Sequence, residues 1–438
     1  MTASDSPPKK GKLFKAIFAG TLGNALEWYD YGIYGYFALI IARNFFTSDN
    51  PLTALLLSFL VFASGFVVRP LGGVIIGVLS DKHGRTKTLA ITIIAMGICT
   101  LCMGLIPPYS KIGVAAPILL TLLRMLQGLA AGGGTGTSIT FMAEYATEKN
   151  RAFLVSWQPW STGAGLLLGS IAGLITSTVL PEEALFSWGW RIPFLLGILI
   201  SINGIFMLRS VGETPAFEKE VSKKAQAAAE RKADMPRGTP FRDVLRSHKI
   251  ALITIMGLLA GSSVTYYILI TFMPTYITQF LQSSLSNAFL VNTSVILIFL
   301  ILTPFIAKLV DRIGTRISLI IGCLGFIVLS YPVFYAVTIS TSPITMIAVL
   351  GALMVFQPLI SVAICVVSAE ILPTKVRNSG IGLAYNLSVA IFGGCAPLMA
   401  TAIIGAAGTQ ISIIYLIIPC IAITLLTTWF LLKPARKP

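Results

Sequence analysis

Apolar runs of about 20 residues recur along almost the whole chain, from Phe14 to Leu432. A helix needs about 20 residues to cross a hydrocarbon core of about 30 Å. The runs are continuous, whereas barrel strands alternate over about ten residues, so helices are the only spanning structure that fits. Twelve spans are predicted, at 16–42, 52–79, 88–106, 113–142, 153–180, 190–208, 250–280, 288–310, 317–337, 344–368, 378–404 and 410–432.

The composition supports an all-α polytopic membrane protein. Hydrophobic residues make up 55% of the chain and charged residues 11%, whereas a soluble domain carries about a quarter charged residues. The first apolar stretch is too long for a cleavable signal peptide and carries Glu27 and Asp30, so we expect it to remain as the first helix. All six cysteines lie inside apolar runs, which argues against a disulfide framework and a zinc site, and no metal is expected.

The net charge of +15 arises from basic loops on one side of the predicted spans. Nearly all of the 32 Lys and Arg fall there, and the opposite side has Arg43 and Lys111. By the positive-inside rule we expect both termini to be cytoplasmic. The expected location is the inner or plasma membrane of a bacterial cell. The basic charge is therefore explained by topology, and nucleic acid is not an expected partner.

The long polar stretch 209–249 divides the chain into two sets of six spans. The predicted units are a cytoplasmic N-terminus (1–15), a six-helix bundle (16–208), a linker (209–249), a second bundle (250–432) and a tail (433–438). Two loops repeat between the halves: Asp81 matches Asp311, and the Glu144 to Arg151 loop matches 370–377. Parallel repeats predict two pseudo-symmetric bundles that carry a solute between them, with the site near the midplane.

The repeated loops also predict a gate at the cytoplasmic face. Their charges fall at helix ends, where they can pair with neighbouring helix termini and break on opening, although each could instead be an ordinary topogenic charge. The predicted gate residues are Gly77, Asp81, Gly84, Arg85, Lys87, Glu144, Arg151, Asp311, Arg316, Glu370 and Arg377.

Charged residues well inside the spans lie only in the first half. At a helix centre each costs about 2.5 to 3.5 kcal/mol on insertion scales, so a functional role is the default interpretation. We predict that Glu27 or Asp30 carries a proton and exchanges partners with Arg69 or Arg124. The alternative is a static ion pair that joins helices. Arg124 is also expected to bind an anionic group of the solute.

Polar and aromatic residues at midspan are predicted to surround the solute. Asn24, Glu27, Tyr31 and Tyr34 share one face of the first helix, which should line the site. Aromatic faces suit a quaternary ammonium and arginines suit a carboxylate, so a zwitterion would use both, and an organic acid only the arginines. The predicted binding residues are Asn24, Tyr31, Tyr34, Arg124, Gln127, Trp157, Gln158, Tyr266, Tyr267, Gln357, Tyr385 and Asn386.

Several motifs resemble the major facilitator superfamily. The loop G-x-x-x-D-x-x-G-R-x-K from Gly77 and R-x-x-Q-G from Arg124 are similar to two of its signatures. "GNALEWYDYGIYG" from Gly23, together with RPLGG, WGWRIPF, ETPAF and TYYILITFMPTY, resembles the metabolite:proton symporters, with the proline/betaine transporters as the nearest branch. Other members of that group carry citrate, 2-oxoglutarate, dicarboxylates or shikimate.

The resemblance implies proton-coupled uptake of a small carboxylate-bearing metabolite by alternating access, by a monomer without cofactor. Where this branch reads Gly-Gly-Glu, the chain has Gly132, Gly133 and Gly134, so an acidic position is empty. An exporter or proton antiporter is the alternative function. An intramembrane enzyme is not expected, since both histidines, His83 and His248, fall at cytoplasmic ends.

Overall fold

The computed structural model describes residues 10–83, 85–144, 146–147, 149–209, 247–373 and 376–432. Within these ranges the chain forms helices and no strands. Twelve helical rods follow one another, several of them in two pieces. They are α1 (Lys10–Tyr36 and Ala38–Phe45), α2 (Pro51–Val67 and Arg69–His83), α3 (Arg85–Leu105), α4 (Ala115–Ala130 and Gly134–Glu144), α5 (Arg151–Val155 and Trp157–Val179), α6 (Arg191–Arg209), α7 (Lys249–Phe280), α8 (Leu285–Ile313), α9 (Thr315–Ile339), α10 (Pro343–Met354 and Phe356–Ile371), α11 (Arg377–Ala407) and α12 (Gln410–Leu431).

The rods agree with the predicted all-helical membrane fold. By length and apolar composition alone, eight helices of the described chain could cross a bilayer, and the apolar stretches Ala90–Leu105 and Ala115–Ala130 are shorter. Large apolar side chains on the outer surface are exposed, among them Val179 and Phe430, as expected for a surface that faces lipid. Most of the predicted linker, the first nine residues and the last six lie outside the described residues, so the proposed unit boundaries remain predictions.

Two of the rods widen into π-helical turns next to proline. In α7 the wide turn is Tyr267–Phe272, and in α11 it is Val389–Gly394. Proline has no N–H to donate to the carbonyl four residues earlier. Pro274 and Pro397 therefore each leave one carbonyl group inside these turns without its regular helical hydrogen bond. The wide turns reposition Tyr267 and Val389, which face the central cavity described below.

Helix contacts arrange the chain as two bundles with an interface between them. In the first half α1 packs on α5 and α3 on α6, and in the second half α7 and α9 both pack on α12. The halves meet where α5 contacts α8 and α2 contacts α11. Glycines permit the closest approaches: a Cβ on Gly165 would lie 2.0 Å from the Ala25 carbonyl oxygen, and one on Gly128 would lie 1.9 Å from the Gly65 carbonyl oxygen.

Candidate functional site

A cavity of about 60 Å³ lies between the two halves. Helices α1, α4 and α5 form its wall on one side and α7, α10 and α11 on the other. Its aromatic wall consists of Trp28, Tyr266, Tyr267 and Tyr385. No charged residue of the described chain lines it. The position between the bundles is where parallel repeats place a solute site.

Hydrogen-bonding groups at the cavity wall lack partners within the described protein. They are the indole nitrogen of Trp28, the hydroxyls of Tyr266 and Tyr267, and the hydroxyl of Ser361. A buried polar group without a hydrogen bond costs about 1 to 3 kcal/mol. The wall therefore presents donors that a bound molecule could satisfy, and a carboxylate offers the acceptors that match them.

Four of the twelve predicted binding residues line this cavity and eight do not; Trp157, Gln357 and Asn386 are three of those eight. Gln158, Tyr266, Tyr267 and Tyr385 belong to the wall. Trp157 packs edge-on against neighbouring rings of α5. The Gln357 side chain accepts a hydrogen bond from Thr265 and donates one to the Ser262 carbonyl, while Asn386 donates to the Gly132 carbonyl at 2.7 Å. Gln357 and Asn386 thus join neighbouring segments, Trp157 packs within its own helix, and the roles of all seven residues as ligands stay predictions.

The predicted face of α1 turns toward helices α2, α4 and α5. The amide of Asn24 donates to the hydroxyls of Ser161 and Thr162 at 2.8 and 2.9 Å, and the Tyr34 hydroxyl donates to the Ser58 carbonyl. Tyr31 is buried against Phe66 and two arginines, and Gln127 against Arg124. The residue that α1 presents to the cavity is Trp28.

Glu27 and Arg69 form a buried ion pair between α1 and α2. Arg69 is fully buried and also donates to the Ala131 carbonyl at 3.2 Å, while its Nε and Nη1 have no partner within the described protein. The guanidinium lies 5.6 Å from the centre of the Trp28 ring. The pair is therefore separated from the cavity by a single aromatic side chain.

Arg124 lies in an aromatic cage. Its guanidinium is 4.4 Å from the ring centre of Tyr31 and 4.8 Å from those of Tyr34 and Phe62. Gln127 accepts its hydrogen bond at 2.5 Å. The arginine is fully buried and does not line the cavity, so direct contact with a solute would require the cage to open.

Asp30 is the second buried carboxylate of α1. It is 2% exposed, and none of the ion pairs between described residues includes it. Its Oδ1 has no hydrogen-bond partner within the described protein and lies 2.9 Å from the Cβ position of Gly197 on α6. The two carboxylates thus differ: Glu27 forms an ion pair, whereas Asp30 forms none and interacts with the Thr100 hydroxyl and, at longer range, with the charge of Arg124.

The empty acidic position lies beside the ion pair. A Cβ built on Gly134 would be 2.9 Å from the Glu27 Oε2. An acidic side chain here would therefore point into the Glu27 and Arg69 pair. Its absence leaves Glu27 as the only carboxylate of the described chain that is paired with Arg69.

At the face that carries the basic loops, here named the basic face, charged residues join the two halves. Arg151 of α5 pairs with Glu370 of α10 at 2.5 Å. The Asp311 carboxylate of α8 accepts hydrogen bonds from the backbone N–H groups of Ala152 and Phe153, at 2.7 and 3.0 Å. A carboxylate at these N–H groups caps α5 and complements the positive end of its dipole.

Other predicted gate residues contact their own half or lie outside the described side chains. Arg316 donates to the Trp429 carbonyl on α12, and Arg377 donates to the Leu372 carbonyl. The structure does not describe the surroundings of Gly77 or the side chains of Asp81, Arg85, Lys87 and Glu144, and Gly84 lies outside the described residues altogether. The gate assignment therefore remains a prediction.

The opposite face, which carries Arg43 and Lys111, is also closed. The ring of Phe289 on α8 packs against the ring of Phe37 on α1, and the two ring centres are 5.5 Å apart. The edge of the Phe289 ring also lies 2.3 Å from the position that a Cβ would take on Gly173 of α5. Leu52 of α2 lies against Gly405 of α11. Contacts between the two halves are therefore present at both faces, with the cavity between them.

Sequence reasoning missed part of the wall of α10. Ser361, Cys365 and Ser368 all line the cavity, and their spacing of four and three places them on one helix face. That period was available from the sequence as a polar stripe. Trp28 was also missed, although a tryptophan at midspan departs from the usual interfacial position of this residue.

Comparison with known proteins identifies the family. A family model described as "sugar (and other) transporter" matches residues 15–436. The chain belongs to this transporter family. It is 36% identical to the glycine betaine/proline/ectoine/pipecolic acid transporter OusA of Dickeya dadantii, over 98% of this chain and 85% of that protein. It is 33% identical to the alpha-ketoglutarate permease of Escherichia coli K12, over 88% and 86%.

A solved structure shares the fold. The xylose transporter XylE of E. coli superposes with a TM-score of 0.75 at 19% identity, covering 96% of this chain and 97% of that one. The predicted resemblance to the major facilitator superfamily and to its metabolite:proton symporters is confirmed, as is the multi-pass helical fold. The chain is a transporter, as the whole family is.

Proposed function

We propose that this transporter takes up a small zwitterion, such as proline or a betaine, together with protons. The observation that carries the proposal is the uncharged cavity wall of aromatic rings and unpartnered donors. A zwitterion has no net charge, so it needs no fixed counter-ion. Its ammonium suits the faces of Trp28 and the three tyrosines, and its carboxylate suits the indole N–H and the hydroxyls. OusA carries solutes of this kind by name.

An organic acid is the second candidate. It is supported by the likeness to the alpha-ketoglutarate permease and by the two arginines behind the wall. A dicarboxylate in the cavity would bring two negative charges to a site whose nearest cations, Arg69 and Arg124, are enclosed by Trp28, Tyr31 and Phe66. Burying uncompensated charge is costly, which favours the zwitterion.

Asp30 is the proposed proton carrier. A buried carboxylate without a cationic partner is costly when charged, and taking up a proton removes that cost. Glu27 already has Arg69 as a partner and serves instead to hold α1 against α2 behind Trp28. In this scheme the gradient itself supplies the energy, the monomer is the working unit, and no cofactor takes part.

The basic face is proposed to be cytoplasmic, and the membrane to be a bacterial inner membrane. The support is the distribution of Lys and Arg together with the bacterial origin of the relatives. Closure by Arg151, Glu370 and Asp311 would then seal the inward side. Export or antiport remains the alternative to uptake, and the transport assay below separates them.

The test is transport by purified protein in proteoliposomes. An imposed inward proton gradient should drive accumulation of labelled proline or glycine betaine above the equilibrium level, and an uncoupler should abolish accumulation. Asp30→Asn should retain exchange of solute down its own gradient and lose proton-driven accumulation. Accumulation of 2-oxoglutarate but of neither zwitterion would contradict the substrate class, and accumulation by Asp30→Asn would contradict the carrier assignment.

A further inference from the structure

A second cavity lies at the opposite face, above the aromatic contacts that close it. Its volume is about 360 Å³, and residues from both halves line it. Leu285 lines the second cavity. Phe289 follows it by one turn of α8, so Phe289 lies about 6 Å nearer the cavity between the bundles. Arg43 lies six residues beyond Phe37 along α1, or about 9 Å further out. This second cavity, here called the vestibule, therefore lies on the outer side of the contact between Phe37 and Phe289.

Two opposite charges line the vestibule without pairing. Arg43 and Glu182 both face it, and neither belongs to an ion pair between described residues. The Arg43 guanidinium lies 4.6 Å from the centre of the Phe186 ring. Asn44 donates a hydrogen bond to the Phe186 carbonyl at 2.9 Å, which fixes the segment on which the guanidinium lies. Arg43 is thus held in place, and its hydrogen-bond donors remain available.

The second half contributes donors and a helix end. Ser283, Ser284 and Ser286 line the vestibule, and so does Thr278, whose buried hydroxyl has no partner within the described protein. Ser284 caps α8, a helix of 29 residues, so the positive end of a long helix dipole lies at the same cavity. Together with Arg43, these groups favour a carboxylate on that side of the vestibule.

We infer that the vestibule is a separate binding site for small carboxylate-bearing zwitterions, in which Arg43 and the start of α8 bind the carboxylate and Glu182 binds the ammonium. The inference rests on the proposed function only for the kind of solute. The site captures the solute before the Phe37 and Phe289 contact opens, and it uses fixed charges, whereas the cavity between the bundles uses aromatic rings.

A footprint of Arg43 tests the site directly. Purified protein in detergent is treated with phenylglyoxal, and modification of each arginine is followed by mass spectrometry with and without proline, glycine betaine or uncharged sorbitol. We expect a zwitterion at about twice its Kd to slow the modification of Arg43 by about threefold. Sorbitol should not, and Arg151 at the basic face should be unaffected. Equal rates with and without zwitterion would overturn the inference.

Matched variants separate the vestibule from the cavity between the bundles. Glu182→Gln should abolish protection of Arg43 by zwitterions, while Glu183→Gln, its exposed neighbour outside the vestibule, should not. Trp28→Ala should impair transport and leave the footprint intact, so a failure of transport and a failure of the vestibule give different results. Loss of the footprint in Trp28→Ala would mean that only one site exists and would also overturn the inference.

Transport kinetics give a second readout. Arg43→Gln should raise KM about fivefold, which corresponds to about 1 kcal/mol of binding, and leave kcat unchanged. Lys111→Gln removes a positive charge from the same face away from the vestibule and should change neither constant. A fall in kcat at constant KM for Arg43→Gln would contradict a role in capture.

Discussion

At the scale of single residues, two carboxylates about one turn apart on α1 have different surroundings. Glu27 is paired with Arg69, whereas Asp30 makes no ion pair within the described chain. Breaking a buried pair leaves an uncompensated charge, which costs about 3 to 5 kcal/mol. Glu27→Gln should therefore lower the thermal unfolding temperature in detergent, and adding Arg69→Gln should recover part of the loss.

The control for this prediction is the pair at the basic face. The side chains of Arg151 and Glu370 are 31% and 48% exposed, so solvent screens their attraction and Glu370→Gln should cost about 1 kcal/mol or less. Equal losses for Glu27→Gln and Glu370→Gln would show that the buried pair is not the stronger contributor to stability.

The tyrosine hydroxyls of the cavity give a second prediction. Those of Tyr266 and Tyr267 have no partner within the described protein, so Tyr266→Phe and Tyr267→Phe should not lower stability and should raise the KM for the zwitterion. The increase should be about tenfold if a hydrogen bond of about 1.4 kcal/mol is lost. Tyr29→Phe is the control, because its hydroxyl donates to the Pro193 carbonyl, so it should lower stability without raising KM.

The residues of the site were only partly accessible to sequence reasoning. Charge inside an apolar span is rare enough to single out Glu27, Asp30, Arg69 and Arg124, and all four are buried in the structure. Which partner each selects depends on helix rotation, and the sequence does not specify it. Asn24 and Tyr34 satisfy neighbouring helices rather than the cavity because the rotation of α1 turns Trp28 inward.

At the scale of helices, glycine allows the backbones of α1 and α5 to come into direct contact. Gly165→Ala would bring a Cβ within 2.0 Å of the Ala25 carbonyl oxygen, so the helices must separate and stability should fall. Gly382→Ala on α11 has nothing within 4 Å of its Cβ position and should be tolerated, because alanine also has the higher helix propensity. Unfolding temperatures of both variants, measured in the same detergent, check the prediction. A loss of similar size for both would contradict it.

The number and order of the helices could be predicted from the lengths of the apolar runs and from the repeated loops, since both depend on local composition. The wide turns of α7 and α11 could not be predicted, although Pro274 and Pro397 mark both of them in the sequence. Proline frees a carbonyl, but whether the helix bends, widens or continues depends on the groups packed around it. The breaks in α2 at Val68 and α5 at Ser156 also precede prolines closely, at Pro70 and Pro159.

At the scale of the whole molecule, the two halves touch at both faces, and the cavity lies between these contacts. Arg151 meets Glu370 at the basic face, and Leu52 meets Gly405 at the opposite face. Alternating access requires each layer of contacts to break once per cycle while the other holds. The contacts within each half, such as Arg316 with Trp429, are not required to break.

Cross-links distinguish these two kinds of contact. In a background without the native cysteines, bridging R151C with E370C should abolish transport and leave solute binding from the opposite face. Bridging L52C with G405C should abolish transport and block that access as well. Bridging R316C with W429C joins two helices of one half, α9 and α12, and should leave transport largely intact. Transport that persists with either interface bridged would mean that the halves do not move apart there. Cleaving the link should then leave the transport rate unchanged.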